Sequence, residues 1–267
     1  MTGVRGGRRR SRPRAVVATA MLAVTALAAG GCHVGASPPS THGATGSLTV
    51  VAAASLTEAF DDPGWRRATD HAGLAVTYSF AGSQQVVAQV GAGAPADVVA
   101  TADETSMAPL VAAGLVDAPR IFAHNKLAIV VQRGNPKGVS SLGDLANDDR
   151  RVVLADPAVP AGRSAAEALR RAGVTVHPVS RELDVKAVLR RVASGDADAG
   201  IVYVTDAAAA GDEVTRVEIP DDANVVTRYP AAVVRATTNR RRAQAFVDDL
   251  VGGAGEATLA SHGFGAP

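Results

Sequence analysis

From about residue 47 to the C-terminus, short valine-rich runs alternate with amphipathic stretches, and this alternation limits the possible folds more than any other feature of the chain. The runs "LTVVAAA" (48–54), "LAVTYSFA" (74–81), "ADVVATA" (96–102), "KLAIVVQRG" (126–134) and "RVVLAD" (151–156) read as strands. So do "VTVHPVS" (174–180), "AGIVYVTD" (199–206), "VTRVEIP" (214–220) and "YPAAVVRAT" (229–237). Strands that are apolar along their length, without polar alternation, are buried on both faces. The stretches 56–70, 84–92, 106–114, 141–146, 164–173, 185–194 and 239–252 read as helices. The class is therefore α/β, with mostly parallel sheets covered by helices on both sides. The strands fall into groups, which predicts two lobes rather than one long sheet.

The first 46 residues have a different character. Six arginines precede "AVVATAMLAVTALAA" (15–29), which leads into Gly30-Gly31-Cys32. A basic start, a fifteen-residue apolar core and small residues describe an export signal, too short to span a membrane as a helix. The expected division is a signal peptide over 1–31 and a flexible Gly/Ser/Pro/Thr-rich tether over 32–46, "HVGASPPSTHGATG" after Cys32. Cys32 is the only cysteine, so no internal disulfide can form. With those six arginines set aside, 21 basic residues face 26 acidic ones, and aromatics make up 3% of the chain. A mildly acidic body without a basic, aromatic face does not suit nucleic acid.

Hydroxyl and backbone donors stand where strands turn into helices. "VVAAASLTEAF" places Ser55 after a buried strand, and Ser55-Leu56-Thr57-Glu58 has the spacing of a capping box. In "SFAGSQQVV", Ser83 opens a helix behind Gly82; in "ADPAVPAGRSAAEAL", Ala161 opens one behind Pro160. In "LDVKAVLRRV", Asp184 reads as an N-cap and Val185 as the first residue with a free N–H. Tyr203 lies at or near the end of "GIVYVTDA". Taken singly, the serines read as caps and Tyr203 as a core residue. All five positions lie at the carboxyl ends of strands, where open α/β sheets bind ligands. Together they offer donors and no formal cation, which suits a small, fully deprotonated oxyanion.

In order and spacing, "VVAAASLTEAF", "SFAGSQQVVAQVGAGAPADVVATAD", "LADPAVPAGRSAAEAL", "GIVYVTDA" and "YPAAVV" resemble the molybdate-binding periplasmic proteins of ABC transporters. The resemblance runs from about residue 48 to the terminal "HGF" at 262–264. It implies the two-lobed type II periplasmic binding protein fold, with two mixed, mostly parallel sheets and a two-strand hinge near 123–131 and 227–234. Lobe 1 would comprise 48–125 plus 233–267, and lobe 2 would comprise 126–232. The family's ligand set falls on the Ser55 and Ser83 hydroxyls, the backbone N–H groups of Ala161 and Val185, and the Tyr203 hydroxyl. The ligand implied is molybdate or tungstate; molybdenum would enter only as the oxyanion, with no bare cation and no cofactor.

The implied partners are a membrane permease and its ATPase, served by a monomer that captures the anion and delivers it. Cys32 resembles the lipidated cysteine of bacterial lipoproteins, with Ala29 where that motif usually has Leu. A lipid there would hold an exported protein on the outer face of the cell membrane. The alternatives are the same machine binding another oxyanion such as sulfate, or an enzyme on this fold. An enzyme is disfavoured because His33, His42, His71, His124, His177 and His262 all lie away from the five corners, while Asp97, Asp103, Asp156 and Asp206 read as caps and turn formers.

Overall fold

The computed structural model describes residues 47–267, and in it the valine-rich runs build two separate five-stranded sheets. The signal, the tether and Cys32 lie outside the described residues. The first sheet takes β1 (Leu48–Ala53), β2 (Val76–Ala81), β3 (Val98–Ala100), β4 (Arg120–Asn125) and a strand from near the end of the chain, Thr227–Val233. The second takes β5 (Leu127–Gln132), β6 (Val152–Ala155), β7 (Ser180–Glu182), β8 (Ala199–Tyr203) and β9 (Val214–Glu218). The strand Thr227–Val233 is β10. Spatial order is β2-β1-β3-β10-β4 in one sheet and β7-β6-β8-β5-β9 in the other. β10 runs antiparallel to both its neighbours, as does β5, so both sheets are mixed.

The strands bury both faces, as their composition requires. Leu48, Val50 and Ala52 point into the larger core, while Val51 enters a second cluster with Val86, Val90, Val99, Met107 and Leu110. The helices supply the cover: α1 (Thr57–Phe60), α2 (Pro63–His71), α3 (Ser83–Gly91), α4 (Glu104–Ala112), α5 (Pro160–Arg171), α6 (Val185–Ala193), α7 (Val204–Ala209), α8 (Arg240–Gly252) and α9 (Ala254–Ser261). The chain's five Phe, three Tyr and one Trp, few as they are, form one linked set of ring contacts. The set centres on Phe60 and reaches Tyr203 through Phe122 and Tyr229.

Only Lys126 separates β4 in the first sheet from β5 in the second. The chain crosses back after β9, and β10 pairs with β4 in the first sheet from Thr227. β10 is a central strand that contains a proline. A register shift between Tyr229 and Pro230 absorbs the missing N–H.

Several expected elements differ. The helix expected over 56–70 breaks at Pro63, whose ring cannot continue the preceding turn. Asp62 restarts it, its carboxylate accepting from the Gly64 and Trp65 N–H groups. The strand expected over 199–206 stops at Tyr203, where α7 begins. Of the strand expected over 174–180 only Ser180 is in a strand; the run holds Pro178 and follows Gly173, whose φ of 64° is left-handed.

Candidate binding site

Five strand ends converge on one small cavity. β1 ends in a tight turn, Ala54–Leu56, that carries Ser55; β2 leads through Gly82 to Ser83 at the start of α3. From the second sheet, β6 leads to Ala161 in the first turn of α5, β7 to Val185 at the start of α6, and β8 ends on Tyr203. The cavity holds about 220 Å³ of empty space, counting its mouth, and all five residues line it. Its other walls are Ala53, Ala54, Gly82, Ala102, Val159, Pro160 and Asp184. All five are buried. The structure thus brings together every body residue that the corners nominated, while Cys32 lies outside the described residues.

The two serine hydroxyls are held by specific partners. Ser83 Oγ accepts from the Ala102 N–H at 3.0 Å. Ser55 does not cap its helix as expected: no side-chain cap exists at that turn, and Ser55 Oγ lies 3.0 Å from Tyr229 Oη on β10. The capping box fails because Ser55 itself lies inside the tight turn, where its hydroxyl faces the interior. Tyr203 Oη is buried and has no hydrogen-bond partner. Burial pushes its pKa well above the ordinary phenol value, so it remains an O–H donor at neutral pH.

The helix starts add N–H groups. Pro160 suits the first position of α5, and no side chain caps that helix, which leaves the Ala161 and Gly162 N–H groups unclaimed by a cap. A Cβ on Gly162 would sit 2.0 Å from the Asp156 carbonyl oxygen, so only glycine lets this helix start close against its strand. At α6 the expected N-cap is present: Asp184 Oδ1 accepts from the Ala187 N–H at 2.8 Å, leaving the Val185 N–H free. Asp184 is the one carboxylate on the cavity wall among the described residues, and it is engaged by that helix.

Side chains bridge the two sheets around the cavity. Arg163 on α5 grips Asp103 Oδ2 through Nε at 3.0 Å and Nη2 at 2.7 Å, and reaches Ser106 Oγ at 2.7 Å. Gln84 Nε2 donates to the Leu183 carbonyl at 2.8 Å. Lys186 Nζ lies 2.5 Å from Glu58 Oε2 on α1 and 2.7 Å from Asp206 Oδ1 on α7. Burial opposes the lysine's charge, but Asp206 and Glu58 outweigh it and its pKa is raised. Burial likewise drives Asp206, against the pull of Lys186, up to about 6.

This mixed two-sheet architecture matches known proteins. The family model described as "bacterial extracellular solute-binding protein" matches residues 48–265. The chain belongs to this family. A molybdate-binding protein, ModA, of Mycobacterium tuberculosis is 38% identical over 250 residues, covering 93% of this solute-binding protein and 96% of that relative. The molybdate-binding protein ModA of Escherichia coli is 32% identical, covering 82% and 89%. The Azotobacter vinelandii periplasmic molybdate-binding protein superposes with a TM-score of 0.72 at 24% identity, covering 82% of this chain and 99% of that one, which establishes the shared two-lobed fold.

Sequence reasoning missed Tyr229, Asn125 and the bridging side chains of this solute-binding protein. "YPAAVV" marks a strand, but nothing local says that Tyr229 faces a serine 174 residues away. None of the described histidines lines the cavity. Among the described residues, no group of three or more His, Cys, Asp or Glu could hold a metal ion, and no helix is long and apolar enough to cross a membrane.

Proposed function

We propose that the protein captures molybdate between its lobes outside the cytoplasmic membrane and delivers it to an ABC importer. The observation that carries this reading is the unpartnered, buried Tyr203 hydroxyl facing a small cavity lined by hydroxyl and backbone N–H donors, with its one carboxylate, Asp184, engaged at the start of α6. Removing a phenol oxygen from water without a partner costs about 1–3 kcal/mol, a cost that a ligand oxygen repays. The relatives named as molybdate-binding favour a tetrahedral oxyanion as that ligand.

The binding set is Ser55 Oγ, Ser83 Oγ, the Ala161 and Val185 N–H groups and Tyr203 Oη. Two of these groups come from the first sheet's lobe and three from the second's, so full coordination needs both lobes and favours the closed arrangement. Charge-assisted bonds contribute roughly 1.5–3 kcal/mol each. After binding costs, the five support about −8 to −12 kcal/mol, micromolar to nanomolar. Tungstate, nearly the same size and equally free of protons, shares the site. Sulfate is smaller and binds more weakly.

The lobes are 48–125 together with the chain from Thr227, and the part between. They hinge at Lys126 and at the return between β9 and β10. The closed form docks as a monomer on a permease whose ATPase drives import, and a lipid on Cys32 tethers it to the outer face of the membrane. It performs no catalysis and holds no cofactor.

The test is Ser55→Ala and Ser83→Ala, each titrated with molybdate. Each is expected to weaken binding by about 1–3 kcal/mol. Unchanged affinity in both variants would refute the site.

A further inference from the structure

Ser55 and Tyr229 stand 3.0 Å apart, and either hydroxyl alone could be the donor. The surroundings decide the direction. Asn125 Oδ1 accepts the Lys126 N–H at 2.9 Å, which fixes which end of the amide is oxygen. Asn125 Nδ2 therefore faces Thr205 Oγ1 at 2.9 Å and Tyr229 Oη at 3.4 Å as a donor. With an amide N–H directed at its oxygen, Tyr229 has its own proton left to give, and Ser55 Oγ is the acceptor beside it. The serine's proton is then free for the cavity.

We propose that Asn125 and Tyr229 are positioning residues that fix Ser55 as a hydrogen-bond donor to the bound anion. The order runs from the Lys126 N–H to Asn125, Tyr229, Ser55 and the ligand oxygen. This inference rests on the oxyanion reading of the site and adds a specificity device to it. The same logic holds at Ser83, whose oxygen is taken by the Ala102 N–H. At both serines one of the two oxygen lone pairs is thereby occupied, which leaves less acceptor capacity for a protonated oxyanion.

Tyr229 is itself buried behind Ser55, and Asn125 is buried behind Tyr229; neither lines the cavity. An effect of Tyr229 on the ligand can travel through Ser55, through the neighbouring Tyr203 or through packing, and only the first depends on the Ser55 hydroxyl. Tyr229→Phe keeps the ring, and with it the edge contacts to Phe122, Tyr203 and Phe264, while deleting the hydroxyl.

A double-mutant cycle separates the two routes. Wild type, Ser55→Ala, Tyr229→Phe and the double variant are titrated with molybdate and with hydrogen phosphate. Loss of one directed hydrogen bond predicts about a tenfold weaker molybdate affinity for Tyr229→Phe in the wild-type background and less than about twofold in the Ser55→Ala background. The preference for molybdate over hydrogen phosphate should narrow in Tyr229→Phe, because Ser55 regains acceptor capacity. An equal loss in both backgrounds, with the preference unchanged, overturns the relay and leaves the molybdate site standing. Wild-type protein that fails to bind molybdate overturns the site reading and the relay with it. Should Tyr229→Phe fail to fold, NMR on unmutated protein decides: the Tyr229 hydroxyl proton is expected to give an NOE to the Ser55 β-protons, and a hydroxyl proton directed at Thr205 instead overturns the relay.

Discussion

Tyr203 and Ser83 contribute similar donors yet stand differently in the protein. The Tyr203 hydroxyl is buried without a partner, whereas Ser83 Oγ satisfies the Ala102 N–H. Tyr203→Phe should therefore weaken molybdate binding by about tenfold while leaving the ligand-free protein as stable or up to about 1 kcal/mol more stable. Calorimetric titration and thermal unfolding of the same sample check both halves. A Tyr203→Phe protein that binds normally, or one that loses both affinity and stability, contradicts the reading. At this scale the sequence placed the five residues at strand ends but not the bonds they make. Ser55 was legible as a hydroxyl at a strand end, and Asp184 as an N-cap, because both signals lie within four residues. The Ser55–Tyr229 contact joins positions 174 apart, and no local pattern encodes it.

Between elements, the telling group is Asp206, which ties α7 to Lys186 on α6, and through it to Glu58 on α1. Burial raises its pKa from 3.8 to about 6. A carboxyl that binds its proton more tightly when folded favours folding at low pH: the contribution is complete below the unfolded value and is lost as pH rises through the folded one. Between about pH 4 and pH 6 this group alone should lower stability as pH rises. Asp206→Asn should remove that slope, a change visible as a difference from wild type in urea midpoints that varies with pH across the window; a pH-independent offset, with the slope unaltered, contradicts the assignment. Glu167, held down to about 2 by hydrogen bonds from Arg170 and Arg171, acts in the opposite sense and only at lower pH. Most elements were legible from periodicity, since buried strands and amphipathic helices differ in repeat. The failures were local competitions: Pro63 split one helix, and α7 took over where an apolar run suggested more strand.

For the whole molecule, the α/β class followed from the alternation and a division into two lobes from the grouping of the strands, whereas the hinge and the lobe bounds came from resemblance. Which strands share a sheet is a matter of long-range pairing, and the return of β10 at Thr227 illustrates how little of that is written locally. The aromatic set extending from Phe60 to Tyr203 was equally invisible, because its members are scattered from residue 60 to residue 264. These features place Tyr203 at the end of a ring network and the cavity between two sheets joined by Arg163, Gln84 and Lys186. Calorimetric titration of the purified protein with molybdate, tungstate, sulfate and phosphate tests the central claim most directly. The account predicts comparable molybdate and tungstate binding, micromolar or tighter, with sulfate much weaker and phosphate excluded. Sulfate or phosphate binding as tightly as molybdate, or no molybdate binding at all, would contradict it.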